Sequence, residues 1–294
     1  MEEKSIVIVP KITKVEWDMR RLKKSEKEII EFYRKEGLNV DRIFESHKKQ
    51  HEGLEKLKNM LPEALIVARD DMNNVIAEKA SLVISYGGDN HFQYITHFLK
   101  DTPILGINSD PTRSEGALTS VAINEIDGAE KIINNKFSIE RWPRLQVSVN
   151  NKEIDTLCIA DIFIGEQQRY MMSRMIITHK GKSIEQKGSG LIIATGAGSS
   201  GWYHSASRYL MQNKSEFKKT AAEARFIFTE PYDGKLMSAQ DLHGIIKDNE
   251  TLDVTSLCDS QAVISIDSLK IIPLPEGSKI NIKFGSPLKV VKLN

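Results

Sequence analysis

The chain has 294 residues, enough for two domains or one large one, with a core that needs no disulfide or metal staple. Apolar residues make up 40% and charged residues 28%, which excludes disordered and collagen-like classes. With 41 basic against 40 acidic side chains the formal charge is +1, which argues against a nucleic-acid or other polyanion partner.

Residues 5–10 (SIVIVP) read as a short strand. Residues 15–36 are charged with recurring apolar positions, a helical pattern that Gly37 stops. Its basic stretch, 20–27, reads as a solvated helix face. Residues 41–60 form a second amphipathic helix, followed by a strand at 64–69 and a short helix at 72–79. A strand at 81–86 runs into Gly87 and Gly88, then come a helix at 91–100 and a strand at 103–108. Apolar strands alternating with helices predict a parallel sheet covered on both faces, with ligands bound at the carboxyl ends of its strands. The loops after Tyr86 and Asn108 are therefore the places to look.

A helix over 125–137 closes this part, and the texture then changes. Leu145, Val147 and Val149 alternate with polar residues, as do parts of 172–179, 261–267 and 279–284. One helix, 199–212, interrupts them. The expectation is an α/β N-terminal domain with a parallel sheet, residues 1–137, followed by a β-rich C-terminal domain, residues 138–285.

Three segments can carry chemistry. In SYGGDNHF (85–92) a buried strand ends in two glycines and a carboxylate, and a helix begins at once. Glycines let amides approach a phosphate, and an acid there can cap the helix, ligate Mg²⁺ or take a proton from a hydroxyl. GSGLIIATGAGSSGW (188–202) reads as a strand, an exposed loop of small residues and a helix, suited to close contact with ribose or phosphate. It lacks the Lys of a Walker loop and the spacing of a nucleophile elbow. NSDPTRSEG (108–116) reads either as a substrate-positioning loop or as a self-capped surface loop. His47 and His51 lie four apart on a predicted helix and read as a solvated pair, so no metal-binding side chains are expected. Cys158 and Cys258 sit in apolar strands and read as buried small hydrophobes, as in a reducing compartment. No apolar run reaches the ~20 residues of a membrane span. The opening MEEKSIVIVP does not read as a secretory signal. A cytoplasmic protein without a membrane partner is expected.

Together these segments resemble the NAD kinase family, most of all its mitochondrial-type branch and bacterial relatives. The family's Gly-Gly-Asp-Gly stands here as Gly87-Gly88-Asp89-Asn90. Residues 106–118 (GINSDPTRSEGAL) are similar to G-V-N-T-D-P-x-R-S-E-G-x-L, and 188–191 with 195–202 to S-S-G-L and T-G-T-G-S-x-A-W. The resemblance implies a scaffold of NAD kinase/diacylglycerol kinase type, with the segment 286–294 returning to the first domain. It also implies an active site between the domains. The implied activity transfers the terminal phosphoryl of ATP, or polyphosphate in some members, to the adenosine 2′-hydroxyl of NAD with Mg²⁺. Asp89 takes the place of the general base. Gly87, Gly88, Asn90, Ala160, Asp161, Ser189, Thr195, Gly198, Ser199, Ser200, Gly201, Trp202 and Tyr203 take those of nucleotide contacts. Asn90 replaces a glycine and Ala160 an asparagine, so this chain differs from the family at two contact positions: Asn tolerates a left-handed backbone better than most residues but places a side chain where a phosphate or the substrate would approach, and Ala160 lacks a hydrogen-bonding side chain. A homodimer or homotetramer is implied as well. Alternatives on the same scaffold are a nucleotide-binding regulatory homologue and a kinase for another hydroxyl.

Overall fold

A computed structural model describes residues 5–126, 128–208, 216–234 and 242–293. The chain divides into two compact units, Met1–Glu140 with Lys289–Asn294, and Arg141–Leu288.

The first unit opens with β1 (Ile6–Pro10) and three helices, α1 (Lys14–Leu22), α2 (Glu26–Lys35) and α3 (Val40–Met60). The single helix expected over 15–36 is two. Lys23 adopts a left-handed conformation (φ 52°) that ends α1, and Ser25 with Glu28 forms a capping box that starts α2. The basic stretch here is solvated. Next come β2 (Leu65–Ile66), shorter than expected and exposed, α4 (Asn74–Lys79), β3 (Leu82–Gly87), α5 (Asp89–Thr96) and β4 (Ile104–Asn108). After β5 (Val121–Ala122), the helix expected over 125–137 is a 3₁₀ turn at Ile123–Glu125 and the four-residue α6 (Glu130–Ile133). Asn135, at φ 52°, lies beyond its end. The chain leaves through β6 (Ser138–Trp142).

The second unit contains β7 (Leu145–Val149), β8 (Lys152–Glu153), β9 (Asp161–Glu166), β10 (Ser173–His179), β11 (Lys182–Gly188) and β12 (Gly190–Ala194). It continues with α7 (Trp202–Ser207), β13 (Glu223–Thr229), β14 (His243–Lys247), β15 (Leu252–Ser256), β16 (Ala262–Ile266), β17 (Lys270–Pro273) and β18 (Lys279–Phe284). The helix expected over 199–212 begins only at Trp202, and its expected end, 209–212, lies outside the described residues. The last strand, β19 (Leu288–Lys292), pairs into the first unit's sheet.

That sheet has the order β2-β1-β3-β4-β19-β6, with β5 also on β4. Strands β2, β1, β3, β4 and β19 run parallel, β19 joining through Val290 on Ile104. Its central strands β3 and β4 are buried on both faces. Ile8, Ile84, Tyr86 and Leu105 pack with Leu57 and Leu61 at the end of α3. On the other face, a Cβ at Gly106 would come within 2.9 Å of Phe92 from α5. The order reverses between β1 and β3, and their carboxyl ends open a crevice where ligands bind in sheets of this kind.

The second unit is a sandwich of two six-stranded antiparallel sheets, β11-β10-β15-β18-β7-β8 and β14-β13-β12-β9-β16-β17. Val147, Met175, Val254 and Ile282 of one interdigitate with Ile164, Leu191, Phe226 and Ile264 of the other in a single core. Helix α7 covers the outer face of the second sheet, burying Tyr203 with Phe163, Ile192 and Ile227. The fold is the expected one, an α/β unit with a parallel sheet and a β-rich unit. No helix among the described residues is long and apolar enough to cross a membrane.

Candidate functional site

At the reversal of the first sheet, β3 ends in Gly87 and α5 starts at Asp89, the helix running straight from the strand. The glycine pair is required by packing. A Cβ on Gly87 would fall within 2.7 Å of the His91 ring, and one on Gly88 within 2.6 Å of Ser114 Oγ. Neither has a left-handed backbone. His91 is buried, with Nε2 2.8 Å from the Val9 carbonyl, and burial pushes its pKa down to about 4, so the ring is neutral.

Asp89 is half-buried at the first position of α5. Its carboxylate accepts the backbone N–H of Ala117 at 3.1 Å and of Leu118 at 2.7 Å. The acid therefore binds the end of the 108–118 loop across the mouth of the crevice, a contact that sequence spacing could not reveal. Asn90 follows in the first turn of the helix, exposed, with no left-handed backbone. The conformation expected to favour Asn over other replacements of glycine is not needed there, because α5 begins one residue earlier.

The 108–116 loop is self-capped but is not a surface loop in its first half. Asn108, Ser109 and Asp110 are buried. Asp110 accepts from Thr112 N and Oγ1 and from Ser46 on α3, and these hydrogen bonds, outweighing its burial, hold its pKa below the usual carboxylate range. Around it lies a pocket of about 240 Å³ lined by Lys11, Lys14, His47, Asp110, Arg113 and Ser114. Burial lowers the pKa of Lys11, and the Arg113 guanidinium adds to this against the pull of Asp110. Lys11 and Lys14 flank β1's exit, and the sequence offered only their position after a strand.

In the second unit, β9 and β12 are neighbours, with Asp161 opposite Ala194. This brings Ala160, Asp161, Thr195 and Gly198 together. Thr195 N–H donates to the Ala160 carbonyl at 3.0 Å, and Thr195 Oγ1 accepts from Ala197 N–H at 3.1 Å. A Cβ on Gly198 would overlap the Ala160 carbonyl, and one on Gly196 that of Lys218. The loop expected to be exposed is thus buried from Gly196 through Ser199, its glycines serving close backbone approach, and only Ser200 and Gly201 reach solvent. Ser199 Oγ donates to the Gly196 carbonyl at 2.8 Å and accepts from Phe217 N–H at 3.2 Å, so its hydroxyl ties the loop together. Ala160 is buried to 1% exposure with both main-chain groups engaged. Trp202 is half-buried, stacked on Phe163 at 5.3 Å beneath the Arg169 guanidinium, 5.0 Å from the Trp202 ring. Tyr203 is buried, which pushes its hydroxyl up to about 12. Ser189 does not join this group. It precedes β12, with Thr195 following the strand's other end, about 20 Å away at strand rise.

The residue that organises this corner was not singled out in the sequence. Asp267, left-handed at φ 51° and 2% exposed, accepts the N–H groups of Ile159 at 3.0 Å, Ala160 at 2.7 Å and Asp161 at 3.2 Å. Cys158 Sγ also donates to it at 3.2 Å. Both cysteines are buried and unpaired with each other, as expected, and burial raises both thiols' pKa. Beside this carboxylate the Asp161 side chain titrates at about 7, raised by burial first and by the Asp267 charge second. A carboxyl group with a native pKa above its unfolded value binds its proton more tightly when folded. Its ionisation therefore costs stability as pH rises from about 4 to about 7. Asp161→Asn should leave stability near pH 4 little changed and raise it at pH 8 by about 2–4 kcal/mol. Urea melts of both proteins at the two pH values check this, and an equal shift at both would refute it.

No family model matches the chain. The curated relatives it matches are named NAD kinase or NADH kinase, bacterial and mitochondrial ones among them. One, a probable NADH kinase of Oryza sativa subsp. japonica, is 28% identical over 252 residues, covering 76% of this chain and 74% of that one. Among solved structures, an NAD kinase from Archaeoglobus fulgidus in complex with ATP superposes with a TM-score of 0.65 at 19% identity, covering 97% of this chain and 92% of that one. A yeast NADH kinase complexed with NADH gives 0.66 at 15% identity, covering 100% and 85%. The sheet order, the glycine–carboxylate turn at its reversal and the β sandwich together define the NAD kinase type of scaffold. The chain is similar in sequence to proteins named NAD kinase and NADH kinase, and similar in fold to solved ones.

Proposed function

We propose that this chain is an NAD kinase, moving the terminal phosphoryl of ATP to the adenosine 2′-hydroxyl of a nicotinamide dinucleotide. The observation that carries the reading is the placement of Asp89: a carboxylate at the carboxyl end of β3, at the reversal of strand order, next to a loop whose Ser114 lines a basic pocket. Lys11, Lys14 and Arg113 suit the phosphates of the donor, whose charge they balance. Asp89 accepts the proton of the ribose hydroxyl as it attacks the γ-phosphorus. A hydroxyl is a poor nucleophile without such a base. Its two amide partners hold the carboxylate in place and leave each oxygen a further lone pair.

In the second unit itself, Asp161 is an acceptor suited to sugar hydroxyls, and Ser200, Gly201 and Trp202 offer exposed or half-exposed surface suited to a dinucleotide. Ala160, Ser199 and Tyr203 support that surface from within, and the main chain of Thr195 and Gly198 shapes it. Ser189, Gly87, Gly88 and Asn90 remain contact positions by resemblance only. Mg²⁺ fits as a companion of the triphosphate. The acids near the crevice are already engaged, Asp89 by two amides and Asp110 by Ser46 and Thr112, and this ion binds through phosphates, its own waters and few carboxylates. When bound it would neutralise phosphate charge. A homodimer or homotetramer and a cytoplasmic location complete the reading, the latter supported by two buried free thiols.

Incubated with ATP, Mg²⁺ and either NAD or NADH, the purified protein should form NADP or NADPH. Both acceptors belong in the assay because the relatives carry both names. Neither product above the enzyme-free blank would defeat the proposal.

A further inference from the structure

His47 and His51 were expected to be a solvated pair. The structure places a carboxylate beside them. Both lie on one face of α3, their rings 4.4 Å apart, and Glu16 of α1 reaches the same point, its Oε1 3.2 Å from His51 Nε2. One ligand atom from each of the three lies within 4.8 Å of the others, the one such His/Cys/Asp/Glu group among the described residues. The kinase reading gives none of the three a role, although His47 also lines the pocket assigned to the donor phosphates.

The cluster is held by a neighbour as metal sites are. Thr13 donates its backbone N–H to Glu16 Oε2 at 2.7 Å, and its hydroxyl lies 2.8 Å from His47 Nδ1. A single residue thus fixes the carboxylate, with Oε1 turned toward His51, and orients one of the imidazoles. Such outer partners set ligand orientation in metal centres. Thr13 is itself buried, as the cap of α1. Glu16 and His51 also line a cleft of about 70 Å³, roomy enough for a water as a further ligand.

We infer that Glu16, His47 and His51 form a binding site for a borderline transition-metal ion, Zn²⁺ by preference, with three protein ligands and one position left to solvent. Two imidazoles and one carboxylate match the donor set of three-ligand zinc sites, and histidines four apart on a helix put two ligands on one face. The same donors discriminate against Mg²⁺, which favours all-oxygen shells. The site therefore differs in donor set from one for the nucleotide's own cation, and its test needs no nucleotide.

Tag-free protein, freed of metal by a chelator, should bind one Zn²⁺ per chain in calorimetry with ZnCl₂. Co²⁺ as a spectroscopic probe should give the intense visible bands of a four-coordinate site. His51 is the exposed ligand, so His51→Ala keeps the fold, and it should weaken Zn²⁺ binding about tenfold to hundredfold. Glu16→Gln should do likewise, and the double variant should lose the stoichiometric step, with thermal melts confirming that each is folded. Absence of a one-to-one step in the wild type would overturn the inference. So would unchanged affinity in the folded double variant.

Discussion

Asp89→Asn is expected to lower kcat for dinucleotide phosphorylation by about 10²–10⁴-fold, the usual worth of a positioned general base. Its melting temperature should fall by only a few degrees. On the proposed reading this carboxylate has two tasks. As a base it would take a proton, which an amide cannot. As a clamp it accepts the N–H groups of Ala117 and Leu118 with its two oxygens, and asparagine has only one oxygen to offer. The lost second acceptor leaves one loop amide opposite an NH₂ group, which loosens the 113–118 segment and raises KM for ATP. If Asp89 served only as the clamp, the variant would show the higher KM and lower melting temperature with kcat within about tenfold of wild type. Steady-state kinetics together with a thermal melt separate the two cases. A wild-type kcat would remove Asp89 from the chemistry.

Asp267→Ala is the substitution expected to cost most in stability, about 3–6 kcal/mol. Three backbone N–H groups, those of Ile159, Ala160 and Asp161, lose their shared acceptor while buried, and each such orphan costs about 1–3 kcal/mol. The left-handed backbone at Asp267 adds to the effect, since alanine tolerates it less well than aspartate. A urea denaturation curve reads the loss directly, and a shift below 1 kcal/mol would refute the assignment. Asp267→Asn provides a finer test. It removes the charge beside Asp161 and keeps one acceptor, so the Asp161 titration should move down from about 7 toward the ordinary carboxylate range. Burial, the larger cause of the shift, would hold it above that range.

The sequence by itself determined the layers and the type of each sheet. Apolar strands buried on both faces, such as 82–87 and 104–108, cannot be mistaken for the alternating strands of an open antiparallel sheet, so β3 and β4 were legible before any coordinates. The glycine–carboxylate turn was legible for the same local reason: a strand ending where a helix begins. Where a short range of sequence had to decide more, the expectation failed in a specific way. A left-handed Lys23 broke one helix into two, and Asn90 fell inside a helix that starts at Asp89.

Only the tertiary structure decided which groups meet. The glycines of 196–201 look like an exposed flexible loop in a run of small residues, yet the missing side chains of Gly198 and Gly196 make room for the backbones of Ala160 and Lys218. Asp267 lies 106 residues from Asp161 in sequence, and Glu16 lies 31 before His47, so neither partnership leaves a local pattern to find. Periodicity and turn chemistry act over a few residues and are written into the chain. The energy of a buried carboxylate or of a would-be metal ligand depends on what the fold carries to it from far along the sequence.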